Sequence, residues 1–364
     1  MRKRQKKIIS TFEDAINNGM LTIAKKDKSV IFFGEGVLDP GHFFGTLKNL
    51  DKEIDNSRIY EMPISENGVM GIAIGSAMTG KRPIISLQRI EFALLALEQL
   101  FNNAAKAHYI SNGLHKVPLV LRLVIGRGWG QGPEHSQVLE NIFSSIPGLK
   151  VVMPAFPSDA KGMIISAVKD NNPIVFLEHR WCHYVRENVN QNYYETPISS
   201  GPKIVTKGKD LTLVATSYMT IVCLGLVSIL SEYKIYIELI DLRVLRPLRL
   251  EKIIKSVNKT KRLLTVDSGF KEFGIGAEIV SSISENCFNN LKSAPLRLGL
   301  PNHPTPSSRG YIDSVYVSSI DIFKSISKLV DIDDDKRNKI LKILKSNLKK
   351  NNNDVPNPDF KGPF

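Results

Sequence analysis

The chain has 364 residues, of which 42% are hydrophobic and 23% are charged, so it is long enough for two globular domains with a sizeable core. It has no run of 18 or more apolar residues, and its basic N-terminus lacks the apolar stretch of a secretory signal, so we expect neither a membrane span nor a signal peptide. The net charge of +13 is concentrated in basic stretches at the two ends, without interleaved aromatic residues, which argues against a nucleic-acid partner.

The number and spacing of the cysteines indicate whether the protein works in an oxidising or a reducing compartment. The three cysteines, Cys182, Cys223 and Cys287, are widely scattered and odd in number. Such a pattern is typical of reduced thiols in a reducing compartment. We therefore expect a cytoplasmic protein without disulfides.

The first half of the chain alternates two kinds of pattern. Short apolar runs predict strands, and apolar residues at helical spacing predict helices. The predicted strands are 29–33, 83–87, 117–124, 149–153 and 173–177. The predicted helices are an entry helix within 1–25, then 67–80, 92–109 and 157–169. This alternation predicts a parallel α/β sheet that is covered on both faces.

A polar, irregular stretch follows and predicts a linker, after which the α/β alternation resumes. The predicted strands of this second unit are 211–215, 235–240, 262–266 and 295–298. Its predicted helices are near 218–231, 249–257, 275–288 and 316–330. We therefore divide the chain into a first domain, a linker, a second domain and a basic tail, at 1–182, 183–209, 210–330 and 331–364.

The tail has two predicted parts. Residues 340–348 alternate isoleucine or leucine with lysine in a way that predicts a short amphipathic helix. The last ten residues, VPNPDFKGPF, contain too much proline and glycine for a helix. We expect them to form an extended arm that docks on a neighbouring chain.

The stretch 63-PISENGVMGIAIGSAMTG-80 places one carboxylate, Glu66, at the start of an apolar helix. We expect this carboxylate to be at least partly buried, and buried carboxyl groups can exchange protons near neutral pH. The alternative is a carboxylate that only stabilises the helix N-terminus through the helix dipole. Gly68, Gly71 and Gly75 share one side of the helix, which predicts close approach by another backbone or by a ligand.

His135 lies at the end of the glycine-rich stretch 126-GRGWGQGPEHSQ-137. An imidazole on such a loop suits acid–base chemistry, and the alternative is a histidine that caps the following helix. The sequence contains no GxxxxGK[ST] phosphate loop, no GxSxG nucleophile motif and no histidine pair at metal-ligand spacing, so these common enzyme signatures do not apply.

Several strings between about residues 8 and 330 resemble one family when taken together and in order. They are 61-EMPISENGVMGIAIGSAMTGKRPI-84, His135-Ser136-Gln137, 147-PGLKVVMPAFPSDAKGMIISAVKDNNPIVFLEH-179, 239-LIDLRVLRPL-248 and 273-FGIGAEI-279. They resemble the beta subunit of the thiamin-diphosphate-dependent 2-oxoacid dehydrogenases, of the pyruvate, branched-chain and acetoin types. The resemblance implies a parallel-sheet pyrimidine-binding domain followed by a transketolase C-terminal-like α/β domain.

The resemblance also implies roles for individual residues. In the family the glutamate of the PISE motif, here Glu66, hydrogen-bonds N1′ of the cofactor's aminopyrimidine and favours the imino tautomer that activates the cofactor. Ile64 and Phe92 match positions beside the aminopyrimidine. His135 matches an active-site histidine near the substrate and the incoming lipoyl group.

A monovalent-cation site, usually for potassium, is implied as well. Its ligands in some members are mostly backbone carbonyls, at positions that match Leu119, Ala167, Val168, Asp170 and Asn172. Such a site would brace the strand–helix layer and take no part in the chemistry. For 170-DNNP-173 alone, the alternative is an ordinary Asp/Asn/Pro turn.

The magnesium motif of this superfamily, which begins with GDG, occurs nowhere in the chain. The resemblance therefore implies a separate alpha subunit that carries the motif and holds Mg²⁺ and the diphosphate of thiamin diphosphate. The assembly implied is an alpha2-beta2 heterotetramer that works with a lipoyl acyltransferase.

Some positions depart from the family pattern. Ser86 and Ile90 stand where many relatives have glutamate and phenylalanine, Leu95 replaces a glutamine, and the loop 125–134 is bulkier than usual. We expect decarboxylation of a pyruvate-like 2-oxoacid with acyl transfer to a lipoyl group. The alternatives are a thiamin-diphosphate-dependent ligase or lyase of a biosynthetic pathway with a non-lipoyl acceptor, and a non-catalytic scaffold. The sequence does not identify the 2-oxoacid.

Overall fold

The computed structural model describes residues 7–39, 41, 43–127 and 131–350, except the side chains of Lys349 and Lys350. The strands are β1 (Lys7–Thr11), β2 (Val30–Gly34), β3 (Ile59–Glu61), β4 (Arg82–Leu87), β5 (Val120–Ile125), β6 (Lys150–Val152), β7 (Ile174–His179), β8 (Arg186–Asn190), β9 (Lys203–Ile204), β10 (Leu211–Ala215), β11 (Ile237–Asp241), β12 (Val244–Arg246), β13 (Leu263–Phe270) and β14 (Leu296–Leu300).

The α-helices are α1 (Phe12–Lys26), α2 (Leu50–Glu53), α3 (Glu66–Met78), α4 (Ala105–Ile110), α5 (Glu140–Ser144), α6 (Pro157–Lys169), α7 (Tyr218–Glu232), α8 (Glu251–Thr260), α9 (Ile275–Cys287), α10 (Ile312–Val315), α11 (Ser319–Leu329) and α12 (Asp334–Lys350). Helical segments of other types are the 3₁₀ turns Asn56–Arg58, Ile90–Ala96, Arg180–Tyr184, Ile198–Ser200, Phe288–Asn290 and Arg309–Tyr311, and a π-helical segment at Gln99–Ala104.

Within the described residues, seven strands form the larger sheet, in the order β12-β6-β7-β5-β4-β2-β3. Neighbouring strands are parallel except at one edge, where β12 runs antiparallel to β6. All the strands predicted for the first half are present in this sheet. The prediction of a mainly parallel α/β sheet is therefore confirmed.

The described part of the second half forms a smaller sheet of five strands, in the order β14-β13-β10-β11-β9. Its neighbours are parallel except β9, which runs antiparallel to β11. The four strands predicted there are β10, β11, β13 and β14, and the four predicted helices are α7, α8, α9 and α11. The strands and helices predicted for the second α/β unit are therefore confirmed.

The two sheets share a hydrophobic core. Leu121 and Val151 of the larger sheet belong to the same buried cluster as Ile253 of α8 and Ile279 of α9. Helices α1 and α6 cover the other face of the larger sheet, and α7, α11 and α12 cover the far face of the smaller one. Burying this much apolar surface at the junction fixes the two halves against each other.

Two buried carboxyl groups also meet at this junction. Burial, together with the charge of Asp267, raises the pKa of Glu140 in α5 to about 8. Burial likewise raises the pKa of Asp267 in β13 to about 7. Both groups therefore hold their protons to higher pH than ordinary carboxylic acids.

Three predicted segments differ from the structure. The entry helix is preceded by β1, which pairs with β8 in an antiparallel ribbon, so the stretch 183–209 contains strands β8 and β9 and is not wholly irregular. The single helix predicted over 92–109 is three consecutive segments, 3₁₀, π and α. The tail helix is longer than predicted, because α12 runs from Asp334 to Lys350.

The predicted extended arm begins at residue 355 and lies outside the described residues. In the described ranges, none of the helices combines the length and apolar character needed to cross a membrane.

Candidate active site

Glu66 is the first residue of α3, and its side chain is only 5% exposed. A carboxylate at this position interacts favourably with the positive end of the helix. None of the described residues donates a hydrogen bond to its side chain. The prediction of burial is confirmed, and the carboxylate retains unused acceptor capacity. Ile64, two residues earlier, is 87% exposed.

Two further glutamates lie beside Glu66. The Glu61 carboxylate accepts hydrogen bonds from the backbone of Gly36 at 2.5 Å and Val37 at 3.0 Å, which fixes the loop after β2. This loop holds Glu35, whose pKa is raised by burial and then by the charges of Glu66 and Glu61. Its Oε1 atom is buried without a hydrogen-bond partner. The carboxylate of Glu66 and the Oε1 atom of Glu35 therefore both lack a hydrogen-bond donor among the described residues.

Phe92 and His135 come together on the next element. The 3₁₀ segment Ile90–Ala96 packs against α3, and the Phe92 ring lies 5.8 Å from the His135 ring. His135 Nδ1 is 2.6 Å from Oε1 of Glu91, whose other carboxylate oxygen is buried without a partner. The imidazole is thus oriented by a carboxylate, and its ring remains 42% exposed. The structure brings Glu66, Phe92 and His135 to one end of the larger sheet.

The loop that carries His135 is closed at its base. The Gly126 N–H donates to the Gln137 carbonyl at 3.0 Å, and the buried Arg89 donates to the Gly126 carbonyl at 2.8 Å and to the Gln131 side chain. Gly126 has φ of +79°, and a side chain there would collide with His179. Burial lowers the pKa of His179 to about 3, so it remains neutral at physiological pH. Residues 128–130 of the predicted loop lie outside the described ranges.

Four of the five predicted cation ligands lie between residues 167 and 172, and the fifth, Leu119, is hydrogen-bonded to Ile174, two residues after Asn172. The Leu119 carbonyl accepts from Ile174 N–H at 2.9 Å, and the Ala167 carbonyl accepts from Asp170 N–H at 3.2 Å. The Val168 carbonyl accepts from the Arg82 guanidinium at 2.8 Å. The Asp170 carboxylate pairs with Lys150 and accepts from the Asn172 amide side chain at 2.7 Å.

These contacts determine how many oxygen lone pairs are left for a cation at this position. Each carbonyl oxygen has two lone pairs, so a single hydrogen bond leaves capacity for a weakly held ion. The predicted ligands are all oxygen atoms, and the side chains of Arg82 and Lys150 already supply positive charge beside them. Across the described ranges, no group of three or more histidine, cysteine, aspartate or glutamate side chains is arranged to hold a metal ion.

The glycine side of α3 has little protein against it. A Cβ at Gly75 would meet nothing within 4 Å among the described residues, and one at Gly71 would only touch Gln99. Ile72 is 60% exposed and Leu95 on the adjacent segment is 62% exposed. The close approach predicted for these glycines is therefore not made by the described part of this chain.

Sequence reasoning missed Glu35 and Glu91. Glu35 lies between two glycines at the end of a buried strand, where side chains of parallel sheets often form sites. Glu91 directly precedes Phe92, but its contact with His135 joins residues 44 positions apart. The first could have been noticed from its place after β2; the second required the loop closure itself.

Comparison with family models divides the chain much as its sheets do, except that β12 lies in the second match but pairs in the larger sheet. Residues 10–182 match the transketolase pyrimidine-binding domain, and residues 202–320 match the transketolase C-terminal domain. A solved structure described as a split-gene transketolase, inactive beta4 tetramer, superposes with a TM-score of 0.69 over 87% of this chain and 97% of that one, at 18% identity. That likeness supports the fold alone.

Curated relatives give a narrower assignment. The pyruvate dehydrogenase E1 component subunit beta of Porphyra purpurea is 36% identical over 84% of this chain and 92% of its own length. The mitochondrial subunit of Bos taurus is 37% identical over 88% of this chain and 91% of its own length. The pyruvate dehydrogenase E1 component subunit beta of Acholeplasma laidlawii is 35% identical over 83% of this chain and 92% of its own length. The chain therefore belongs to the family of E1 beta subunits of the 2-oxoacid dehydrogenases, with a transketolase pyrimidine-binding domain followed by a transketolase C-terminal domain.

Proposed function

We propose that this chain is the beta subunit of a 2-oxoacid dehydrogenase decarboxylase component that binds the aminopyrimidine end of thiamin diphosphate. With an alpha subunit it decarboxylates a pyruvate-like 2-oxoacid and passes the acyl group to a lipoyl group. The observation that carries the proposal is Glu66, a 5% exposed carboxylate with no hydrogen-bond donor among the described residues and with Glu35 beside it. Burying such a group is costly unless a ligand supplies a donor or a proton.

The cofactor supplies the carbon centre at which a 2-oxoacid loses carbon dioxide. Glu66 would hold a proton at the aminopyrimidine N1′ position, and the 5% exposure of Glu66 itself would leave little water near that proton. Phe92 provides an apolar face beside the ring, and Ile64 borders it. His135, oriented by Glu91, is available for proton transfer or hydrogen bonding at the substrate.

The partner we infer is an alpha subunit that carries the GDG motif and holds Mg²⁺ and the diphosphate in an alpha2-beta2 heterotetramer. The open glycine side of α3, next to Glu66, supports a partner there, because exposed apolar residues such as Ile72 and Leu95 favour burial in an interface. A lipoyl acyltransferase then accepts the acyl group. We place the assembly in the cytoplasm, although the Bos taurus relative is named as mitochondrial.

We also propose that K⁺ binds among Leu119, Ala167, Val168, Asp170 and Asn172. Replacing K⁺ by Na⁺ at constant ionic strength is expected to lower the melting temperature of the assembly. The stabilisation lost is about 1.4 kcal/mol if K⁺ is present at ten times its dissociation constant. Calorimetry checks this, and Asp170→Asn should remove the difference between the two ions. Identical melting in both salts would contradict K⁺ binding.

Because we propose that the cofactor site is divided between this chain and an alpha subunit, a split site, we expect the chain alone to be inactive. We expect decarboxylation of a panel of 2-oxoacids, measured as carbon dioxide release, only after co-expression with the GDG-containing subunit. Acyl transfer to a lipoyl domain then supports the dehydrogenase, whereas turnover only with an aldehyde or other non-lipoyl acceptor supports a ligase. Decarboxylation by this chain without a partner would refute the split site.

A further inference from the structure

The C-terminal domain holds the loop that carries His135. Thr305 donates its hydroxyl to the carbonyl of Gly132 at 3.2 Å. Gly132 has φ of +64°, and the Ser307 hydroxyl lies so close that a Cβ at Gly132 would overlap it. A chain segment between β14 and α10 is therefore packed directly on the backbone of a first-domain loop.

Tyr316, which follows α10, makes the second contact between this segment and the loop that carries His135. Its hydroxyl faces the side chains of Ser136 and Thr305, and burial raises its pKa above the ordinary value. The Arg127 guanidinium lies 4.0 Å from the centroid of the Tyr316 ring and 3.9 Å from that of Trp181. Cation–π contacts of this kind are strongest when they are shielded from water.

These attachments flank the candidate histidine. Ser136, which is 2% exposed, directly follows His135, and Arg127 lies at the other end of the same loop. On the first-domain side, His135 is bonded to Glu91 at 2.6 Å. The imidazole is therefore fixed between a carboxylate of its own domain and a loop that is anchored to the other domain.

We propose that Tyr316 is a positioning residue for His135. It acts through Ser136 and Arg127, which hold the loop at the place where the imidazole meets Glu91. Small displacements of an active-site group are enough to slow a reaction, because catalysis depends on the alignment of the reacting groups. The catalytic part of this inference rests on the function proposed above, whereas the structural part, the holding of the loop, does not.

A double-mutant cycle in the assembled enzyme tests the catalytic part. Tyr316→Phe keeps the ring against Arg127 but removes the hydroxyl from Ser136 and Thr305. We expect it to lower kcat about tenfold, equivalent to about 1.4 kcal/mol. In a His135→Ala background the same substitution should have no further effect, because its action is transmitted through the imidazole. An equal fold loss in both backgrounds would overturn the inference, since a general weakening of the fold is additive.

Hydrogen exchange tests the structural part without any activity. Backbone amides of the peptide that spans 131–137 should exchange faster in Tyr316→Phe than in the unmodified assembly. Tyr311→Phe is the matched control, because Tyr311 lies in the same segment but is 62% exposed, and it should change neither kcat nor exchange. Unaltered exchange in Tyr316→Phe overturns the inference even if the enzyme is active. If no 2-oxoacid is decarboxylated, the proposed function fails, and the exchange result still decides whether Tyr316 holds the loop.

Discussion

Glu66→Gln in the assembled enzyme is expected to lower kcat for decarboxylation by about 10² to 10⁴-fold, the usual contribution of a group that transfers a proton. Glutamine matches glutamate in shape, so α3 and its packing should be preserved. It cannot share a proton with a ring nitrogen in the way a carboxyl group can. Steady-state carbon dioxide release measures the loss, and size-exclusion chromatography shows whether the assembly remains intact.

The matched control for this substitution is Glu285→Gln. Glu285 is an exposed glutamate of α9, away from the candidate site, and its loss should leave kcat unchanged. Full activity of Glu66→Gln would overturn the proposed role of the carboxylate. A loss of activity accompanied by dissociation of the assembly would show that Glu66 matters for structure, and not for the chemistry proposed.

Arg122→Met is expected to destabilise the chain by about 3–5 kcal/mol, the range found when one partner of a buried ion pair is removed. Arg122 and Glu178 are both fully buried, and they form two contacts, at 2.7 and 3.0 Å. Burial alone would raise the pKa of Glu178, but the charge of Arg122 and a hydrogen bond with His183 keep it below its usual value. Without Arg122, a carboxylate would be left in the core with mainly neutral neighbours.

Urea unfolding of the single variants and of the Arg122→Met/Glu178→Gln double variant measures this effect. Removing both charges should cost less than the sum of the two single substitutions, because no unpaired charge is left behind. Strict additivity of the two losses would contradict an ion pair that is important to the fold. Arg186→Met, at an exposed position of β8, is the control and should change stability little.

The candidate site was partly predictable because its key signals are local. One carboxylate at the head of an apolar helix was enough to predict that Glu66 is buried. The orientation of His135 by Glu91 was not predictable in the same way. That contact joins residues 44 positions apart, and neither residue has a distinctive local pattern.

In the fold as well, the elements that depend on nearby residues were predictable, whereas those that depend on distant residues were not. Helix α6 begins with Pro157 at its first turn and has regular apolar spacing, and its predicted bounds agree with the structure. The stretch 92–109 has similar spacing, but apolar periodicity does not distinguish α from 3₁₀ or π geometry, and no glycine or proline marks the change. Strand β1 depends on pairing with β8, about 180 residues away, so the first residues alone could not reveal it.

The pairing of strand β12 limits which parts of the chain can be deleted. This strand lies in the half of the chain that matches the transketolase C-terminal domain, yet it pairs with β6 at the edge of the larger sheet. A fragment that ended after the first family match would keep the pairing of β6 with β7 but leave the other edge of β6 open, and open edges of this kind tend to pair with other chains and aggregate. A fragment that keeps this edge paired therefore has to extend beyond the first family match, at least through β12.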